Sequence, residues 1–251
     1  MSGVLILGAS SGFGAASARA FARAGHDVFG VHLDRKSTMP LAEAVATDVE
    51  AEGRRCRMFN VNAADADRRE EVLAELVDED IGVLLHSLAF GSLRPFTGER
   101  PLQPKQLTMT LEVMAHSLVW WARGLVGQGS MKAGGRIFSM TSSGSIVVLP
   151  SYGAVSAAKA ALESHTRQLA VELAPLGITA NSIMAGVTDT PALQKIPGKE
   201  TLIGLAARRN PGGRLTRPED VADALVELSR PGLAWMTGNV IRIDGGEGIV
   251  A

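Results

Sequence analysis

Seven short apolar or β-branched runs, at residues 4–7, 28–33, 57–61, 83–85, 136–140, 179–183 and 240–243, punctuate the chain at intervals too long for hairpins. Between them lie segments such as 15–24 and 68–77, in which apolar residues recur at three-to-four spacing among polar ones. Near-continuous apolar runs are what strands covered on both faces require, and the intervening pattern is that of amphipathic helices. Strand, helix, strand repeated in this way forces parallel pairing through right-handed crossovers. The expected fold is α/β: a doubly wound parallel sheet of the Rossmann type, about seven strands with helices on both faces.

With 251 residues and 46% hydrophobic content the chain can bury one large core, so a single domain spanning 1–251 is expected. One stretch differs from the rest. Residues 190–213 hold Pro191, Pro197, Gly198, Pro211, Gly212 and Gly213 around a short helical piece, the composition of a mobile lid over a site. A formal net charge of −1, with scattered basic residues, offers no patch for nucleic acid. The single cysteine, Cys56, reads as a small strand residue; it excludes an internal disulfide and a cysteine-pair metal site, so no metal is expected. The apolar start at 4–7 is too short for a secretory signal, and no run approaches the ~20 residues of a membrane span. No membrane partner is expected, and the location should be cytoplasmic.

Gly8, Ser10, Ser11, Gly12, Phe13 and Gly14 directly follow the first strand and open the first helix. Glycines there allow a tight turn and close approach of a pyrophosphate to the helix N-terminus, so a dinucleotide cradle is expected. The end of the second strand reads His32-Leu33-Asp34-Arg35-Lys36. A carboxylate at this position suits a ribose 2′-OH, whereas basic groups suit a 2′-phosphate. Arg35 and Lys36 favour NADPH, with NADH the weaker expectation raised by Asp34.

Ser142, Tyr152 and Lys159 fall at the end of the fifth strand and the start of the next helix. Tyr152 is the only tyrosine, and Lys159 lies seven residues beyond it, nearly two turns along one helix face. An ammonium beside a phenol favours the phenolate, so Lys159 is expected to lower the pKa of Tyr152.

With the Gly8 to Gly14 turn, the Ser142/Tyr152/Lys159 set, Asn181-Ser182-Ile183-Met184-Ala185-Gly186 and Ile243-Asp244-Gly245-Gly246 in this order, the whole chain resembles the short-chain dehydrogenase/reductase family. Its departures from the commoner carbonyl reductases point to one branch. Their Tyr-x3-Lys spacing would put tyrosine at 155, which is Val155; the spacing here is Tyr-x6-Lys. His86-Ser87-Leu88-Ala89-Phe90 replaces their Asn-Asn-Ala-Gly, and Met114 stands where their helix-four asparagine falls. All three features are similar to enoyl-[acyl-carrier-protein] reductases. Gly91-Ser92-Leu93-Arg94-Pro95 and the run from Lys159 to Leu173 most resemble the smaller type III. Ser142 occupies a place where type I enzymes carry a second tyrosine, which leaves its role, substrate contact or packing, open.

The resemblance implies NADPH-dependent reduction of the carbon–carbon double bond of a trans-2-enoyl thioester, carried by acyl-carrier protein or coenzyme A, in fatty-acid biosynthesis or specialised-metabolite synthesis. Tyr152 would stabilise the enolate oxygen and Lys159 hold the cofactor ribose. Asn62 and Ala63 would meet the adenine side of the cofactor, Ser87, Leu88 and Ala89 its middle, and Gly186, Val187 and Thr190 its nicotinamide end. Phe90, Leu93, Phe96, Leu193 and Ile196 would line an acyl tunnel at the carboxyl ends of the strands. A homodimer or homotetramer is implied, with burial of the adjacent Trp120 and Trp121 at a subunit interface. His86 would order backbone beside the cofactor, and His116 and His165 would be helix-surface or packing residues. The alternatives are a carbonyl reductase or alcohol dehydrogenase of the same family, or a cofactor-binding regulator without catalysis.

Overall fold

The computed structural model describes residues 2–250. Seven strands, β1 (Gly3–Leu7), β2 (Val28–His32), β3 (Cys56–Asn60), β4 (Ile81–His86), β5 (Arg136–Thr141), β6 (Thr179–Ala185) and β7 (Val240–Ile243), form one sheet in the order β3-β2-β1-β4-β5-β6-β7. Every pairing is parallel. The strand order reverses between β1 and β4, where Leu7 stands opposite His86, and the crevice that such a reversal opens is the ligand site of doubly wound sheets.

The central strands are apolar on both faces because both are covered. Leu5, Leu7, Phe29, Ile81, Leu84 and Ile137 pack toward α3 (Ala66–Glu75), α5 (Ser117–Gly127) and α6 (Gly153–Leu173). Val4, Ile6, Leu85, Phe138, Met140 and Ile183 pack toward α1 (Gly12–Arg23), α2 (Met39–Ala51) and α8 (Pro218–Leu228). Trp121 belongs to the first of these cores: it is fully buried and its indole Nε1 donates to the Ala63 carbonyl at 2.9 Å. That corrects the interface expectation for one of the two tryptophans, since packing within the subunit already covers Trp121. Trp120 remains 38% exposed beneath the Arg123 guanidinium.

Before α5 the helix α4 (Pro104–Leu111) does not continue regularly but passes through a π turn at Glu112–His116. A π turn inserts one residue into the helical repeat and re-aims the side chains around it. Here Val113 and Met114 line the cavity described below. The remaining helix, α7 (Lys199–Arg209), lies within the stretch read as a lid. Among the described residues no helix is long and apolar enough to cross a membrane.

Candidate active site

A cavity of about 920 Å³ opens at the carboxyl ends of the strands and runs from the β1–α1 turn past the β5–α6 loop to α7. Gly8 opens the turn with φ +90, and a Cβ there would stand 2.6 Å from the Ser87 carbonyl oxygen. Gly14 brings α1 against the Gly8 carbonyl in the same way, so it shapes the cradle from behind without lining the cavity. The N-cap of α1, Ser11, makes no side-chain cap, and no acidic residue occupies the first turn. Uncapped N–H groups at a helix N-terminus suit an anionic group, and the cradle therefore fits a pyrophosphate.

Ser10, Ser11, Gly12 and Phe13 line this end of the cavity, with Asn62, Ala63, Ser87, Leu88 and Ala89 along its floor. Gly186, Val187 and Thr190 line the opposite wall, where Thr190 stands over Gly12. His32 is buried and its Nδ1 meets the Asp34 carboxylate at 2.8 Å. Burial acts to raise the pKa of Asp34, but hydrogen bonds with Thr38, Ser10 and His32 outweigh it and hold the carboxyl below the usual range. Arg35 lines the cavity mouth, exposed, and its guanidinium pairs with no carboxylate among the described residues. Lys36, also exposed, does not line the cavity, which leaves Arg35 as the basic group there suited to a 2′-phosphate.

The other end is apolar. Phe90, Leu93, Leu193 and Ile196 line it, joined by Met109, Met114 and Leu149. Phe96 does not: it is 62% exposed and its ring packs over Gly153 at the start of α6, which takes it out of the expected tunnel.

Ser142, Tyr152 and Lys159 all face the cavity. Ser142 caps a short 3-10 turn, its hydroxyl accepting from the Gly144 N–H at 3.1 Å. A Cβ on Gly144 would stand 2.5 Å from Cε1 of Tyr152, so that glycine lets the ring lie against the loop. Ser151, immediately before Tyr152, has φ 60, a strained left-handed conformation for a residue with a side chain. Lys159 is buried, and its Nζ donates to the Met140 carbonyl at 2.7 Å and reaches the Leu88 carbonyl at 3.5 Å.

These positions reverse one expectation. Burial pushes the Tyr152 phenol up, with hydrogen bonding from Ser142 opposing, and the Lys159 ammonium does not offset it because backbone carbonyls hold it. Burial likewise draws Lys159 down to about 8, against the opposing charge of Glu163. His86 is fully buried, joined through Nε2 to the Ser117 hydroxyl at 2.8 Å, and burial and the Lys159 charge draw it down to about 3. It is neutral at working pH and orders the helix after the π turn, since Ser117 donates in turn to the Val113 carbonyl at 2.8 Å.

Several residues of the site have no local signature in the sequence. Ile146 and Val147 enter from the β5–α6 loop, and Arg242 and Glu247 from the end of the chain. The Glu247 carboxylate accepts from the Val187 N–H at 3.0 Å and is pushed up by burial. The neighbouring Asp244-Gly245-Gly246 run carries the family resemblance but does not by itself place this turn at the site.

Residues 8–247 match a protein-family model described as enoyl-(acyl carrier protein) reductase. The chain is 32% identical to 1-cyclohexenylcarbonyl-CoA reductase of Streptomyces collinus over 98% of its own length and 87% of that protein. It is 32% identical to the NADH enoyl-[acyl-carrier-protein] reductase of Synechocystis sp. over 72% of this chain and 70% of the relative. Among solved structures, a short-chain dehydrogenase/reductase from Serratia marcescens superposes with a TM-score of 0.85 at 25% identity, covering 98% of this chain and 97% of that one.

Proposed function

The chain belongs to the short-chain dehydrogenase/reductase family, in its enoyl-(acyl carrier protein) reductase group, and from that premise we propose that it reduces the carbon–carbon double bond of a trans-2-enoyl thioester with NADPH. The observation that carries this reading is Tyr152: a buried, protonated phenol in the cavity wall, Tyr-x6-Lys in spacing, beside an apolar chamber.

Gly186, Val187 and Thr190 would hold the nicotinamide end of the cofactor, which when bound would supply the hydride for the β-carbon. Charge that develops on the thioester oxygen needs a donor at that moment, and Tyr152, kept neutral by burial, hydrogen-bonds it there; the enolate then collapses as its α-carbon takes a proton originating from solvent, which gives the saturated thioester. Lys159 holds positive charge near the cofactor ribose and the developing enolate. Leu93, Met114, Leu193 and Ile196 exclude water and receive the acyl group. The stretch 190–213 acts as the lid. Arg35 meets the 2′-phosphate, in keeping with an Asp34 carboxylate already engaged by His32. The CoA ester named for the Streptomyces relative supports a thioester carried by coenzyme A, with acyl-carrier protein the other carrier and fatty-acid synthesis the corresponding setting. Half-exposed Trp120 on α5 and exposed Val171 on α6 support a homodimer or homotetramer.

A second reading has one observation in its favour: Ser142 and Tyr152 line the same cavity, as a ketone-reducing pair would. Following NADPH oxidation with crotonyl and acetoacetyl thioesters separates the two. Turnover of the enoyl substrate is expected, and turnover of the keto substrate alone would overturn the proposal.

A further inference from the structure

The face of α6 that meets β5 carries a buried polar seam. Lys159, Glu163 and Thr166 follow at positions i, i+4 and i+7, and each finds a partner on the strand. Lys159 donates to the Met140 carbonyl at 2.7 Å, Thr141 donates its hydroxyl to Glu163 Oε1 at 2.6 Å, and Thr166 meets Ser139 at 2.8 Å. Lys159 and Glu163 are 5% and 9% exposed. Two opposite charges are thus buried one turn apart, in the Lys-before-Glu order that does least for an isolated helix, so helix propensity does not explain the pair.

We propose that Glu163 is a positioning residue of the active site, its carboxylate fixed by Thr141 so that the Lys159 side chain stays charged where it faces the cavity. This rests on the reading of Lys159 as part of that site. The groups facing Lys159 from the packed elements are His86 at the end of β4, Tyr152 at the start of α6 and Glu163 itself. His86 and Tyr152 are neutral at working pH, which leaves Glu163 as the anion that offsets the burial of the ammonium. With Glu163 present Lys159 sits at about 8. Without the carboxylate, burial acts unopposed and the ammonium loses its proton at lower pH.

NADPH affinity, followed by fluorescence between about pH 6 and about pH 9.5, tests this in the full-length protein. The native protein should lose affinity as pH rises through about 8. Glu163→Gln keeps an acceptor for Thr141 but removes the charge, and should move that midpoint down by about one pH unit while leaving the acid plateau unchanged. Glu163→Asp should retain most of the native midpoint, and Thr141→Val, which frees the carboxylate without neutralising it, should give a smaller shift in the same direction. The Thr141 variant carries the test if Glu163→Gln fails to fold. Native midpoints in both Glu163→Gln and Thr141→Val would overturn the proposal. Lys159→Met separates the premise from the inference: loss of affinity at every pH supports Lys159 as a site residue, and native affinity throughout would overturn both.

Discussion

Two effects compete at the Tyr152 hydroxyl, and burial wins over the hydrogen bond from Ser142. A phenol tuned this way is a poor base near neutrality and a good donor, the property an enolate oxygen requires. Its position is set by neighbours with little side-chain freedom of their own: Gly144 gives the ring room, and the strained Ser151 turns the backbone into α6 just before it. Tyr152→Phe keeps the ring and its packing but removes the donor. It should lower kcat on an enoyl thioester by about two orders of magnitude or more, with NADPH affinity from fluorescence titration close to native. Unchanged turnover would remove Tyr152 from the mechanism.

At the scale of elements, the turn after β2 shows how neighbouring charges divide their work. Asp34 is tied inward by His32, while Arg35 faces the cavity mouth without an ionic partner among the described residues. Arg35→Ala should therefore weaken NADPH binding by about tenfold, the scale of one charge-assisted contact, and leave NADH binding nearly unchanged in parallel titrations. An equal loss for both cofactors would assign the preference to Asp34. The elements themselves were legible because buried parallel strands must be continuously apolar and the cradle needs glycine at Gly8 and Gly14 for close approach. The absence of Lys36 and Phe96 from the cavity lining, the π turn that aims Met114, and the arrival of Glu247 at Val187 were not, because each depends on how distant segments cross. The same is true of the Tyr152 phenol: spacing along a helix showed that Lys159 was near in sequence, but not that the Met140 carbonyl would take its ammonium.

The sheet as a whole separates chemistry from stability by its two ends. The cavity occupies the carboxyl ends of the strands, whereas an ion network ties the opposite end, where β2 and β3 begin. Asp27, just before β2, accepts from Arg54 at 2.6 Å and from the Arg55 side chain at 2.7 Å, and Arg55 continues to Glu79 at 2.8 Å. Burial acts to raise the Asp27 pKa, but the hydrogen bonds from Arg55 and Arg54 outweigh it and hold the carboxyl below its usual range. A depressed folded-state pKa stabilises the fold at pH values above the ordinary carboxylate range, and that contribution is lost as the pH falls through the folded value. Asp27→Asn, which leaves two guanidinium groups without their shared anion, should cost about 2 kcal/mol and lower Tm by roughly 4–8 °C in a chain of this size. The loss should shrink on acidification, because the native carboxyl is then protonated as well. Since the network lies at the far end of the sheet from Tyr152, kcat/KM below the transition should stay native; a catalytic defect in this variant would show that the two ends are coupled.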